Sequence, residues 1–122
     1  TLTLSCNKLK SVPDSIGNLT NLETVYLDRN EITSIPSSFG NLTKLTRVDV
    51  ASNKLTSLPA ELSKLVNVEE IFANGNQLTA LPDLSALPLL TLLNVSENPL
   101  TELPQNLPKD CKIFSDLNKD DE

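Results

Sequence analysis

One asparagine recurs at Asn7, Asn30, Asn53, Asn76 and Asn98, at intervals of 23, 23, 23 and 22 residues. Each copy stands in the same frame: an apolar residue, a variable one, a second apolar residue, two variable ones, Asn, one more, then Leu or Ile. The copies read Leu2-Leu4-Asn7-Leu9, Val25-Leu27-Asn30-Ile32, Val48-Val50-Asn53-Leu55, Ile71-Ala73-Asn76-Leu78 and Leu93-Val95-Asn98-Leu100. A fixed period of this length is the mark of a solenoid, in which a unit buries its apolar side only against its neighbours. Alternation before each Asn predicts a short strand with one buried face, and stacking the units lays these strands parallel in a single sheet. An amide at the strand end can donate to and accept from backbone groups of adjacent turns, so the column Asn7, Asn30, Asn53, Asn76 and Asn98 is expected to be structural.

The second half of each unit must return the chain to the next strand. A proline follows Val12, Ile35, Leu58, Leu81 and Leu103. With no N–H and a fixed φ, proline belongs outside the sheet. The i, i+3 spacing of Ile16, Leu19 and Leu22 suits a short helical or 3₁₀ turn on the opposite side. In the fourth unit Leu84 and Leu87 come one residue early, a deletion placed in the return arm between Pro82 and Leu84. In the fifth, Pro108 and Asp110 replace apolar positions, and Ile113 and Phe114 are expected to close the last core layer. The repeats are therefore placed at 2–24, 25–47, 48–70, 71–92 and 93–114, making one solenoid of residues 1–114. Residues 115–122 read as an acidic, disordered tail. The chain opens inside a repeat, on a strand without a covering cap, which reads as an N-terminally truncated solenoid.

The motif LxLxxNxL resembles that of leucine-rich repeat proteins. The resemblance implies an α/β solenoid with a concave parallel sheet and a convex side of loops, 3₁₀ turns or short helices. The fuller form, x-(Leu/Ile)-Pro-x-x-(Ile/Phe/Leu)-Gly-Asn-Leu-Thr-x-Leu, resembles the 23-residue intracellular class that includes Ras-suppressor and Ras-scaffold proteins and plant Ras-group proteins. That likeness implies a cytoplasmic protein-interaction scaffold in small-GTPase, kinase or phosphatase signalling. Two other roles stay open: the recognition arm of a larger kinase, GTPase or cyclase, and a secreted recognition domain.

Chemistry narrows the classes further. The net charge of −6, from 16 acids and 10 bases, argues against nucleic acid, whose phosphates call for a basic face. No apolar run approaches the roughly 18 residues of a membrane span. Without His, a CxxC pair, a glycine-rich phosphate loop or GxSxG, the chain offers no catalytic constellation, so it reads as a non-enzyme without cofactor or metal. Cys6 and Cys111 fall four repeat steps apart, roughly 19 Å or more at strand spacing, beyond the reach of a disulfide. They are expected to be free thiols in a reducing compartment. Asn18-Leu19-Thr20, Asn41-Leu42-Thr43 and Asn94-Val95-Ser96 fit the glycosylation pattern, at about the frequency chance gives in a chain so rich in Asn, Ser and Thr.

What remains is the outward side of the sheet. Strands in register give a central column of Thr3, Tyr26, Asp49, Phe72 and Asn94. On one flank stand Thr1, Thr24, Arg47, Glu70 and Leu92; on the other Ser5, Asp28, Ala51, Asn74 and Ser96; at the edge Cys6, Arg29, Ser52, Gly75 and Glu97. Aromatic residues and Arg are the types enriched at binding hot spots. The expected protein-binding residues are Tyr26, Asp28, Arg29, Arg47, Asp49, Glu70, Phe72 and Asn94. Acids dominate these columns, so the expected partner is a protein with a basic rim around an apolar centre, met by a monomer or by part of a larger chain.

Overall fold

The computed structural model describes residues 1–104 and 107–117. Six short strands form one parallel sheet in chain order: β1 (Leu2–Thr3), β2 (Thr24–Tyr26), β3 (Arg47–Asp49), β4 (Glu70–Phe72), β5 (Leu92–Asn94) and β6 (Lys112–Phe114). Their register is the one the Asn period predicts: Val25 pairs with Val48, Val48 with Ile71, and Ile71 with Leu93. The middle residue of β2 to β5 points inward in each case and is at most 2% exposed. Its neighbours on either side face outward and are half-buried.

Return arms differ along the chain for a local reason. In the first three repeats, Pro13, Pro36 and Pro59 sit at φ near −70° and hand the chain into 3₁₀ turns over Asp14–Asn18, Ser37–Asn41 and Ala60–Lys64. Each turn closes on the proline carbonyl, as where the Ile16 N–H donates to Pro13 O at 3.0 Å. The fourth arm, one residue shorter, forms no such turn. Asp83 instead accepts the Ser85 N–H at 2.9 Å, and Leu84, Leu87 and Leu90 still reach the core. No α-helix occurs among the described residues, so the convex side takes the 3₁₀ and loop form.

Close stacking of the arms explains two glycines. A Cβ at Gly17 would lie 2.7 Å from the Ser38 carbonyl oxygen, and one at Gly40 2.7 Å from that of Glu61. The third arm carries Ser63 at the matching place, where the arm that follows has no 3₁₀ turn to press against it.

The Asn column is a continuous ladder. Asn53 Nδ2 donates to the Val50 and Ala51 carbonyls of its own repeat and to Leu27 O of the preceding one, all near 3.0 Å. Its Oδ1 accepts the N–H of Ile32 at 3.0 Å. Asn30, Asn76 and Asn98 repeat this pattern one layer away each. Asn7 donates only within its own repeat and is exposed. The residue before each Asn turns the chain out of the sheet through the left-handed region, at Cys6, Arg29, Ser52 and Glu97 (φ from 56° to 59°) and at Gly75 (φ 70°). Only one of these five positions carries the glycine that the conformation favours.

The ends depart from expectation. The sixth strand lies 20 residues after the fifth, with Leu93 paired to Ile113 and Asn94 to Phe114. Ile113 packs against the core as expected, but Phe114 is 45% exposed on the open side of the sheet, because strand alternation turns it outward. Three residues of the expected tail are described. Ser115 is buried, Leu117 N–H donates to its hydroxyl, and Asp116 Oδ2 accepts the N–H of Glu97 at 3.1 Å. Residues 118–122 of that expected tail lie outside the described residues. At the β1 end, Leu2, Leu4, Leu9, Val12 and Ile16 line an open apolar groove of about 290 Å³.

Candidate protein-binding face

The face of the sheet turned away from the return arms gathers the expected binding residues, though not as equals. Arg47, on β3, organises three of the others. Its Nε donates to Glu70 Oε1 at 2.6 Å, and a second guanidinium nitrogen pairs with the same oxygen. Its third nitrogen lies 3.4 Å from the Tyr26 hydroxyl, and its guanidinium carbon sits 5.7 Å from the centre of the Phe72 ring. Register places these partners on the adjacent strands, since Arg47 pairs with Thr24 on one side and Glu70 on the other. A guanidinium over an aromatic face is attracted by the ring's quadrupole, and a carboxylate bond fixes its plane. The cluster holds Tyr26 and Phe72 half-buried in fixed positions, each with one side still open to solvent.

Asp49, at the end of β3, and Asp28, two residues past the end of β2, form a second group. Asp28 accepts the Ser5 hydroxyl at 2.6 Å and has Arg29 only loosely, at 3.9 Å from a guanidinium that is 71% exposed. Asp49 accepts the Ala51 N–H at 3.0 Å. Burial first, and then the charge of Asp28, raise the Asp49 carboxyl above the ordinary carboxylate range, against the opposing pull of the Ala51 bond, Arg47 and Arg29. Arg29 stands apart from the aromatic cluster, with a guanidinium nitrogen 3.9 Å from Cys6 Sγ. Asn94 is also apart: its Oδ1 accepts both the N–H and the hydroxyl of Ser96.

Sequence reasoning missed one member of this face. Phe114 extends the central column by one strand, and Leu92, already placed in the flanking column, is half-buried and pairs with Lys112. The alternation Lys112-Ile113-Phe114 is the signal that could have found the strand. It is three residues long and lacks the Asn that marks the others.

No described residues cluster as a metal site, and the described chain contains no helix long and apolar enough to cross a membrane. Cys6 and Cys111 are both free, and burial raises the Cys111 thiol above its ordinary value, which disfavours the thiolate. Of the three glycosylation-like asparagines, Asn18 and Asn41 are exposed and Asn94 is half-buried.

A six-stranded parallel sheet, an asparagine ladder and stacked return arms define a repeat solenoid with one open face. The leucine-rich repeat family matches over residues 1–55 and 20–78, and the chain belongs to it. Among solved structures it is similar to a leucine-rich repeat protein of Leptospira interrogans, at 29% identity and a TM-score of 0.87 over 92% of this chain. It is also similar to a functional domain of InlJ from Listeria monocytogenes, described as including a cysteine ladder, at 29% identity and a TM-score of 0.79 over 93% of this chain. The match covers 30% and 24% of those two chains, so this chain spans about a quarter to a third of their length. Its own two cysteines stand in different columns and form no ladder. Among curated proteins no sequence matches significantly. Leucine-rich repeat domains generally mediate protein–protein interaction and are typically not enzymes.

Proposed function

We propose that this chain is a protein-interaction module that takes its partner on the concave face, centred on Tyr26, Arg47 and Phe72. One observation carries the reading: Arg47 spends its hydrogen bonds and its charge on holding two aromatic rings in place at a surface the core does not need. Rings fixed before binding lose little conformational freedom on contact, which is how affinity is gained from few residues. Glu70 and Asn94 flank that centre, while Asp28, Asp49 and Arg29 supply charged margins. The partner carries a basic surface. The repeat form supports a monomeric scaffold in cytoplasmic signalling, and the two free thiols suit a reducing compartment. The two bacterial structures named above favour the broader version of the same reading, in which these repeats are the recognition arm of a longer chain.

The test begins with a partner captured on the immobilised chain. Phe72→Ala and Tyr26→Ala should then each weaken binding by about 2 kcal/mol. The convex changes Lys44→Ala and Lys64→Ala should leave it unchanged. Binding abolished by the convex changes and indifferent to the concave ones would place the partner on the other face.

A further inference from the structure

The concave face is chemically divided along its length. Toward β2 and β3 lie Asp28 and Asp49; Arg29, 3.9 Å from Asp28, hangs exposed at the edge. Arg47 cannot neutralise them fully, because Glu70 and Phe72 hold it. Toward β5 and β6 the surface becomes apolar: the open side of Phe72, half-buried Leu92 and Phe114, 45% exposed. Between the two rings Asn94 is turned to Ser96 and leaves them uncovered. Lys112, at the outer corner beside Leu92, is the cation at this end.

We infer that the occupant of this face is a partner segment with a lysine or arginine seated on Asp28 and Asp49, and with a bulky apolar side chain, roughly 10 Å across the strands, seated on Phe72, Leu92 and Phe114. The inference rests on the concave-face reading above and adds the chemistry of what is bound. Charge complementarity selects the segment's cation and its direction, since a reversed segment would put that cation beside Lys112 and its apolar group on two carboxylates. In an extended chain at about 3.3 Å per residue, the two recognised side chains stand about three positions apart.

Two substitutions separate the seats without threatening the fold. Asp49→Asn keeps an acceptor for the Ala51 N–H, as Asn94 in the same column accepts from Ser96. Phe114→Thr places on β6 the residue that Thr3 already supplies in that column on β1. The probes are labelled peptides of about twelve residues on a Ser/Ala background with Lys and Phe three apart, followed by fluorescence anisotropy on the full chain. Binding in the high-micromolar range is expected, and about tenfold weaker when Glu replaces the peptide's Lys. Asp49→Asn should remove most of that preference, and Phe114→Thr should weaken the Lys–Phe peptide about fivefold while leaving the preference intact. Equal binding of the Glu peptide, indifference to both substitutions, or no binding at about 1 mM peptide overturns the inference. In each of those cases, loss of a captured partner on Tyr26→Ala and Phe72→Ala would still leave the broader function standing.

Discussion

Replacing Asn53 by Leu tests the ladder at its centre, and the structure says what the change would cost. Asn53 is 7% exposed and makes four bonds to backbone. The three carbonyls it serves each keep a second donor: Leu27 O keeps Asn30, Val50 O keeps Asn76, and Ala51 O keeps the N–H of Arg29. The N–H of Ile32 has no such reserve, since the amide oxygen of Asn53 is its acceptor and Ile32 itself is fully buried. One stranded buried N–H costs about 1–3 kcal/mol, and the three weakened carbonyl contacts add about 1 kcal/mol more. Asn53→Leu should therefore cost about 3 kcal/mol, a large share of the roughly 5–15 kcal/mol that holds a domain together. Asn7→Leu removes only two donations within its own exposed repeat and should cost under about 1 kcal/mol. Urea unfolding followed by far-UV circular dichroism measures both. The emission of Tyr26, the single tyrosine in a chain without tryptophan, reports in parallel on the second repeat. Equal costs at Asn7 and Asn53, or an unchanged midpoint for Asn53→Leu, would refute the ladder as the source of stability.

Further tests address the arms, the left-handed turns, the open end and Asp49. Gly40→Ala should destabilise by about 1–3 kcal/mol, because its Cβ meets the Glu61 backbone at 2.7 Å, whereas Ser63→Ala should be near neutral in the same denaturation assay. Ser52→Gly relieves a left-handed backbone and should stabilise by up to about 1 kcal/mol, while Gly75→Ala should lose a similar amount in thermal unfolding. Amides of β1, at the edge of the described sheet, should exchange with deuterium faster than those of Val48 to Val50, and equal protection in a verified monomer would contradict this. Because the Asp49 carboxyl is raised in the folded state, the folded chain holds more protons than the unfolded one between the ordinary and the raised value. Stability contributed by this group therefore falls as pH rises through that window, and Asp49→Asn should match or exceed the parent chain at neutral pH, with the advantage vanishing in acid.

Much of this fold was legible because it depends on positions that repeat. The inward residues and the Asn column must satisfy the same geometry in every layer, so they recur with the period and can be read by alignment of the chain to itself. The deletion after Pro82 was legible for the same reason, but its consequence, loss of the 3₁₀ turn, depends on contacts with the preceding arm. The glycines at 17 and 40 carry that information indirectly: glycine is kept where the next arm presses closely, and Ser63 appears where it does not. β6 escaped because it keeps only one inward residue, Ile113, and the alternation that turns Phe114 outward is too short to stand above chance.

The concave columns obey a different logic. Nothing in the solenoid requires Tyr26, Arg47, Glu70 and Phe72 to occur together, since neighbouring layers place Thr3, Thr24, Asn94 and Leu92 at the same positions. A side chain that the fold leaves free to vary shows its role only through its neighbours, and the neighbours of Arg47 lie 21, 23 and 25 residues away. Sequence therefore grouped these residues into columns that the register reproduces, while the pairing of Arg47 with Glu70 and the exposure of Phe114 needed the register in three dimensions. The pairing also alters the electrostatic reading. An arginine counted among the face's cations is already neutralised by its neighbour, so the carboxylates of Asp28 and Asp49 dominate what an approaching partner meets. On the proposed reading, a cationic side chain of the partner is therefore selected by these two carboxylates rather than by the net composition of the face.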